Sequence, residues 1–168
     1  MGTPGRRIVS LAGPIPCLLM RGCIMDRPFV FTLPALSPTA GPPEGRSLLA
    51  ATQAKMGMVP NMCARMANAP ALLQTYSEGY ARFRTDSGFS PIEQEVVFLS
   101  ISQENGCDYC LAAHSYLATT HARMASTNVA ALRLGTSLPD ARLDALSDFT
   151  HVLVAMGGRP SHSAAATF

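Results

Sequence analysis

The sequence predicts an all-α protein. No segment sustains the alternation of apolar and polar residues that marks a half-buried strand, while apolar residues recur at helical spacing along most of the chain from residue 44 onward. Pro60, Pro70, Pro91 and Pro139 each fall at or near the start of such a run, where a missing amide N–H costs nothing. With 168 residues, 48% hydrophobic composition and mean hydropathy +0.17, there is enough apolar material for one buried core. A single domain is expected.

Taken in order, residues 44–56 read as a modest helix closed by Gly57, and Asn61 opens a short one running through Asn68. From 70 to about 85, Leu72, Leu73, Tyr76, Tyr80 and Phe83 repeat at helical spacing and are expected in the core. Ser90-Pro91-Ile92-Glu93 then supplies an N-cap serine, a proline at the first helical position and a glutamate that closes a capping box. Asn105-Gly106 ends that helix, and a new one is expected to begin at Cys107. Residues 126–134 form a short helix ended by Gly135. A final helix, capped by Ser137-Leu138-Pro139-Asp140, runs to Met156 with Leu143, Leu146, Phe149, Val152 and Leu153 inward, and stops at Gly157-Gly158.

The domain so defined is 44–158, between an extended or disordered arm at 1–43 and an unstructured tail at 159–168. The arm holds eight of the thirteen prolines, a composition that sustains neither a helix nor a packed core. Met25-Asp26-Arg27-Pro28 could be the native start, with 1–24 an upstream extension. The uncharged run 8–20 is too short and too proline-broken to span a bilayer, and it lacks a convincing small-residue cleavage site for a secretory signal. No membrane association is expected.

Composition also excludes several partners. The charged fraction is 14% and the net charge +2, with twelve arginines, one lysine and no basic run, so nothing suggests a track for a phosphate backbone. Without tryptophan and with 7% aromatics, a base-stacking platform is not expected. There is no internal repeat and no glycine-rich phosphate loop. Five cysteines is an odd count, and Cys17, Cys23 and Cys63 follow no framework spacing. That pattern fits a reduced, cytoplasmic protein, in which a C-x-x-C pair is catalytic or metal-binding.

The chemistry concentrates in residues 90–121. At about 100° per residue, Cys107, Cys110 and His114 fall within roughly 60° of one another, so two thiols and an imidazole share a face. Orphan N–H groups and the positive end of the macrodipole at a helix start favour a thiolate at Cys107, and Cys110, one turn on, shares part of that benefit. In the preceding helix Glu93 and Glu104 lie roughly 20° apart, whereas Glu95 points the other way, toward Ile92, Phe98, Leu99 and Ser102. Burying an ionisable group without a partner is costly, and such groups gather at functional sites, which makes Glu95 a candidate base or proton carrier. Tyr109, between the cysteines, is a candidate lining residue. The methionines are expected mainly as core filler, with those of 56–66 also candidates for an apolar substrate entrance.

A glutamate followed by eleven residues and then Cys-x-x-Cys-x-x-x-His, here Glu95, Cys107, Cys110 and His114, resembles the signature of the AhpD-like alkylhydroperoxidases of the carboxymuconolactone decarboxylase superfamily. The text NGCDYCLAAHS resembles the peroxidase-related members, and the similarity runs from about Lys55 to Gly158, including GMVPN at 57–61 and NAPAL at 68–72. The resemblance implies an orthogonal helical bundle and a thiol peroxidase that needs no metal or haem. It implies Cys110 as the attacking thiolate, Cys107 as the resolving thiol, and Glu95 with His114 as a proton relay. It further implies a small hydroperoxide substrate, a dithiol electron donor and a homo-oligomer, a trimer or larger ring such as a hexamer. Relatives usually carry further helix after residue 158.

Electrostatics at the helix start alone would choose Cys107 as the more acidic thiol, in disagreement with the family assignment. Other readings stand beside the peroxidase: structural zinc on Cys107, Cys110, His114 and His121; two inert buried thiols; a thiol redox sensor or interaction protein; and lactone decarboxylation, whose enzymes typically lack this C-x-x-C. His151 and His162 have no comparable context.

Overall fold

The computed structural model describes residues 32–168, and its regular structure is entirely helical. Cys17, Cys23, the apolar run 8–20 and the candidate start at Met25 lie outside the described residues. The helices are α1 (Pro43–Met56), α2 (Asn61–Met66), α3 (Pro70–Asp86), α4 (Pro91–Glu104), α5 (Asp108–Thr120), α6 (Ser126–Leu134), α7 (Ala141–Ala155) and α8 (His162–Thr167). Among the described residues no helix is long and apolar enough to cross a membrane.

Apolar burial gathers in two clusters. Leu49, Cys63, Ala67 and Leu73 tie α1, α2 and α3 together, with Leu36, Leu48, Val59 and Met66 packed around them. The larger cluster, Val96, Leu99, Ala118, Met124, Val129, Leu132, Leu138 and Leu146, joins α4 to α7. In the first cluster α1 approaches α2 closely at Gly45, where a methyl group would lie 2.8 Å from the Ala67 carbonyl oxygen, so only glycine fits without a backbone shift.

α4 lies at the centre of the larger cluster and packs against α5, α6 and α7. Its start carries the capping box: the Ser90 amide donates to Glu93 Oε2 at 2.8 Å and the Glu93 amide donates to Ser90 Oγ at 3.3 Å. The Ser90 backbone bond and then its side chain hold the Glu93 carboxyl below its usual range against the opposing effect of burial, and nearby Arg142 adds a lesser push downward. Glu93 and Glu104, expected on one face, both meet α7, the first through Arg142 at 2.8 Å and the second through His151 at 3.1 Å. Between them Ser100 and Ser147 share a buried hydroxyl hydrogen bond of 2.8 Å.

Several boundaries differ from the sequence reading. Residues 159–168 are not wholly unstructured: α8 forms there, capped by Ser161, and Phe168 stacks on Phe149 with ring centroids 4.4 Å apart. The stretch 32–42 has no helix yet is tied down, because Leu36 donates its amide to Ala64 O at 2.9 Å, Asn68 Nδ2 donates to Pro34 O at 2.8 Å, and Arg65 donates to Leu33 O. Of the residues expected in the core, Leu72 and Leu153 are exposed. Leu72 lies about 100° around α3 from buried Leu73. Leu153 follows His151, which already meets Glu104 at the end of α4, so the last turn of α7 has passed its packing partner.

Candidate functional site

The two clusters meet along a seam of aromatic and charged side chains, and the chemically committed residues lie on it. Tyr80 and Phe83 of α3 face Phe98 of α4 with centroids 5.3 and 5.1 Å away, the second pair edge to face. Phe98 in turn carries the His114 imidazole on its ring, 4.4 Å between centroids and 8° from parallel.

Glu95 is 2% exposed, so the inward carboxylate expected from helical geometry is in place. It is not, however, a lone acid among apolar neighbours. His114 Nδ1 lies 2.8 Å from Oε2, and Arg84 Nη2 donates to Oε1 at 2.6 Å. Burying the carboxylate is tolerable because a cation and an imidazole occupy both oxygens. Arg84 is the residue that sequence reasoning missed. Its guanidinium also donates to the Tyr80 hydroxyl at 2.7 Å and to Gln94 Oε1 at 3.1 Å, and it lies over the Tyr80 and Phe98 rings at 4.9 and 4.6 Å. A signal was present: Arg84 falls eleven residues after Leu73, about 20° away on the same face of α3, so a cation was bound to turn toward the interior.

The cysteines sit at the start of α5. Cys107 does not open the helix as expected; it is the N-cap, in an extended conformation, and its Sγ accepts the Cys110 amide N–H at 3.2 Å. The turn that places it there uses Gly106 at φ +61°, a left-handed position that glycine adopts freely. Cys110 lies in the first turn, one turn before His114. The sulfurs of Cys107 and Cys110 are at disulfide-bonding distance, with Cα atoms 5.3 Å apart. Both residues are partly buried, while Tyr109 between them is exposed.

Other candidates fall away from this centre. Cys63 is buried in the smaller cluster, and desolvation pushes its thiol pKa up, which disfavours the reactive thiolate. His121 caps the far end of α5 and faces Tyr116 edge-on, and His151 is paired with Glu104. Among the described residues no group of three or more His, Cys, Asp and Glu side chains is arranged to hold a metal ion. Met56 and Met58 are exposed, whereas Met66 packs on the smaller cluster. An open groove of about 390 Å³ lies between α5 and α6, lined by Thr119, Ser126, Val129, Ala130, Arg133 and Leu134. Thr119 is about 180° around α5 from Cys110, so that groove belongs to the opposite side of the helix from the thiols.

The fold and the site together define an all-α domain with a vicinal cysteine pair backed by a buried Glu–His couple. Residues 68–146, from the turn before α3 into α7, match the model of the carboxymuconolactone decarboxylase family. The matched segment contains Arg84, Glu95, Cys107, Cys110 and His114. None of the curated proteins matches the chain.

Proposed function

We propose that the protein is a thiol-dependent peroxidase that reduces hydroperoxides through a dithiol–disulfide cycle of Cys107 and Cys110. The observation that carries this reading is the buried Glu95–His114 pair, 2.8 Å between Oε2 and Nδ1, one helical turn from a cysteine whose sulfur is at bonding distance from a second. In the first step the Cys110 thiolate attacks the terminal oxygen of the hydroperoxide. The O–O bond breaks, Cys110 becomes a sulfenic acid, and the alkoxide leaves as an alcohol after taking a proton relayed by His114. Cys107 then attacks the Cys110 sulfur, the S–O bond breaks, and a disulfide and water result. A dithiol donor, small molecule or protein, returns the pair to thiols by exchange.

Adjacency to His114 favours Cys110 as the attacking sulfur, since that thiol has a proton acceptor one turn away on the same helix. The cysteine pattern favours a cytoplasmic location, where such a pair is kept reduced between turnovers. Exposed apolar side chains such as Leu72, Leu134, Tyr116 and Met156 favour a homo-oligomer, in which they would be covered.

A peroxide-consumption assay tests the activity. Wild-type protein supplied with a dithiol is expected to consume peroxide catalytically, and Cys110→Ser is expected to abolish consumption; undiminished turnover in that variant would eliminate the dithiol peroxidase. A protein that forms the disulfide with one equivalent of peroxide but does not turn over would instead be a redox sensor. Lactone decarboxylation, the other activity associated with the superfamily, would leave both cysteines dispensable.

A further inference from the structure

We infer that Arg84 is the positioning residue of the site, fixing the hydrogen-bond polarity of the Glu95–His114 pair so that Nδ1 of His114 keeps its proton and Nε2 is the nitrogen that exchanges protons with the reacting groups. The inference rests on the peroxidase reading only for its rate measurement.

Glu95 Oε1 is 2.6 Å from Arg84 Nη2, and a guanidinium only donates, so that oxygen is an acceptor. The cation next to it favours an acceptor at Oε2 as well, and the 2.8 Å contact there is then a donation from Nδ1–H. A neutral imidazole carries one ring proton, so with Nδ1 protonated Nε2 has a free lone pair. Glu95 thereby orients the imidazole and stabilises its charged form when Nε2 takes up a proton, and does not itself carry the proton.

Arg84 is held in place as a built part of the site. Gln94, 6% exposed, accepts from Arg84 Nη1 at 3.1 Å through its Oε1 and donates through Nε2 to the Arg84 carbonyl at 3.1 Å and the Phe89 carbonyl at 2.9 Å. Both ends of the arginine are therefore tied to α4, the helix that carries Glu95. Arg84 and the His114 ring also both lie against Phe98, at 4.6 and 4.4 Å. A lysine could supply the charge but not the planar fork that reaches Tyr80, Gln94 and Glu95 together.

Nitrogen NMR of the imidazoles in the unmodified, reduced full chain is the primary test, with His114 assigned by the loss of its signals in His114→Gln. The expected result is a His114 protonated at Nδ1 and bare at Nε2; a proton on Nε2 with Nδ1 bare overturns the inference without any variant. In Arg84→Met the preference for Nδ1–H is expected to weaken, and peroxide-driven formation of the Cys107–Cys110 disulfide to slow by about 10-fold to 100-fold, within what a positioned acid–base group contributes. Arg84→Lys is expected to recover part of that rate. A folded Arg84→Met protein with the wild-type His114 spectrum and the wild-type rate overturns the inference; if Arg84→Met does not fold, Arg84→Lys decides, and wild-type values for both readouts there overturn the need for the fork. A wild-type protein with Nδ1–H that is inert to peroxide rejects the peroxidase and upholds the polarity, while Nε2–H with rapid disulfide formation does the reverse.

Discussion

His114 lies flat on Phe98, 8° from parallel and 4.4 Å between centroids, while its Nδ1 reaches Glu95 three residues earlier on the same helix as Phe98. One helix thus supplies both the surface the imidazole rests on and the carboxylate that sets its rotation. Replacing Phe98 by leucine removes the surface but leaves the hydrogen bond. The variant is expected to lose about 1 kcal/mol of stability beyond what its smaller buried area costs, the usual worth of an aromatic pair. Urea denaturation measures the loss, and peroxide-driven disulfide formation in the same protein should slow as the ring gains freedom.

Glu95→Gln attacks the seam from its centre. The amide can still accept from Arg84, but it carries no charge, and the guanidinium is left in a partly buried site without its counter-ion. Breaking a buried pair from one side costs about 3–5 kcal/mol. With the Arg84 side chain 22% exposed, the lower end of that range, about 3 kcal/mol, is expected. A midpoint of urea unfolding equal to wild type would show that the pair contributes nothing to stability.

How much of this was legible beforehand varies with the range of the interaction. The caps were readable because they are local: Ser90 and Glu93 are three residues apart and satisfy each other within one turn. The inward turn of Glu95 followed from helical angle alone. The role of Arg84 is not legible because, Tyr80 apart, its partners come from a different helix, ten and eleven residues on, and nothing in the composition of α3 names them. The sequence puts Cys107 inside α5 because Asn105-Gly106 marks the break but not its length; Gly106 at φ +61° leaves Cys107 extended, one residue before the helix. The α8 helix is not legible in the sequence because six residues after a double glycine carry almost no periodic signal, and Phe168 contributes only after it has met Phe149.

At Gly45 a methyl group has nowhere to go, since the atom it would meet at 2.8 Å is a backbone carbonyl oxygen and not the end of a flexible side chain. Gly45→Ala is expected to push α1 away from α2 and to cost about 1–3 kcal/mol, as overpacking in a fitted interface does, despite the higher helix propensity of alanine. Thermal unfolding compared with wild type checks this, and an unchanged or raised midpoint would mean that the two helices separate freely.

Burial, followed by the neighbouring Tyr80, Cys63 and Tyr109, raises the pKa of Tyr76 from 10.0 to about 12. In the unfolded chain this phenol loses its proton near its ordinary value, while in the folded protein it holds the proton longer. Between those values the folded state binds more protons, so its contribution to stability is complete below pH 10 and is lost as pH rises through about 12. An alkaline titration followed by phenolate absorbance, free of tryptophan interference because the chain has none, should show a late-titrating component that Tyr76→Phe removes. Loss of a different phenol from the late phase would assign the burial elsewhere.

The two cysteines make separable contributions that a trapping experiment distinguishes. The Cys110 amide donates to Cys107 Sγ at 3.2 Å, which stabilises negative charge on Cys107, whereas Cys110 has His114 one turn away to accept its proton. If proximity to the imidazole governs attack, Cys107→Ser treated with one equivalent of peroxide should accumulate a sulfenic acid at Cys110, seen as the gain of one oxygen and captured by a sulfenate-specific reagent. Cys110→Ser should then react with peroxide at least about 100-fold more slowly, having lost the nucleophile served by the acid–base group. In the wild type the same equivalent should remove two hydrogens from the peptide containing both cysteines, leaving Cys63, buried in the smaller cluster, unmodified. The reverse result, fast sulfenic acid formation at Cys107 in Cys110→Ser, would mean that amide donation at the start of α5 outweighs the imidazole and would exchange the two roles.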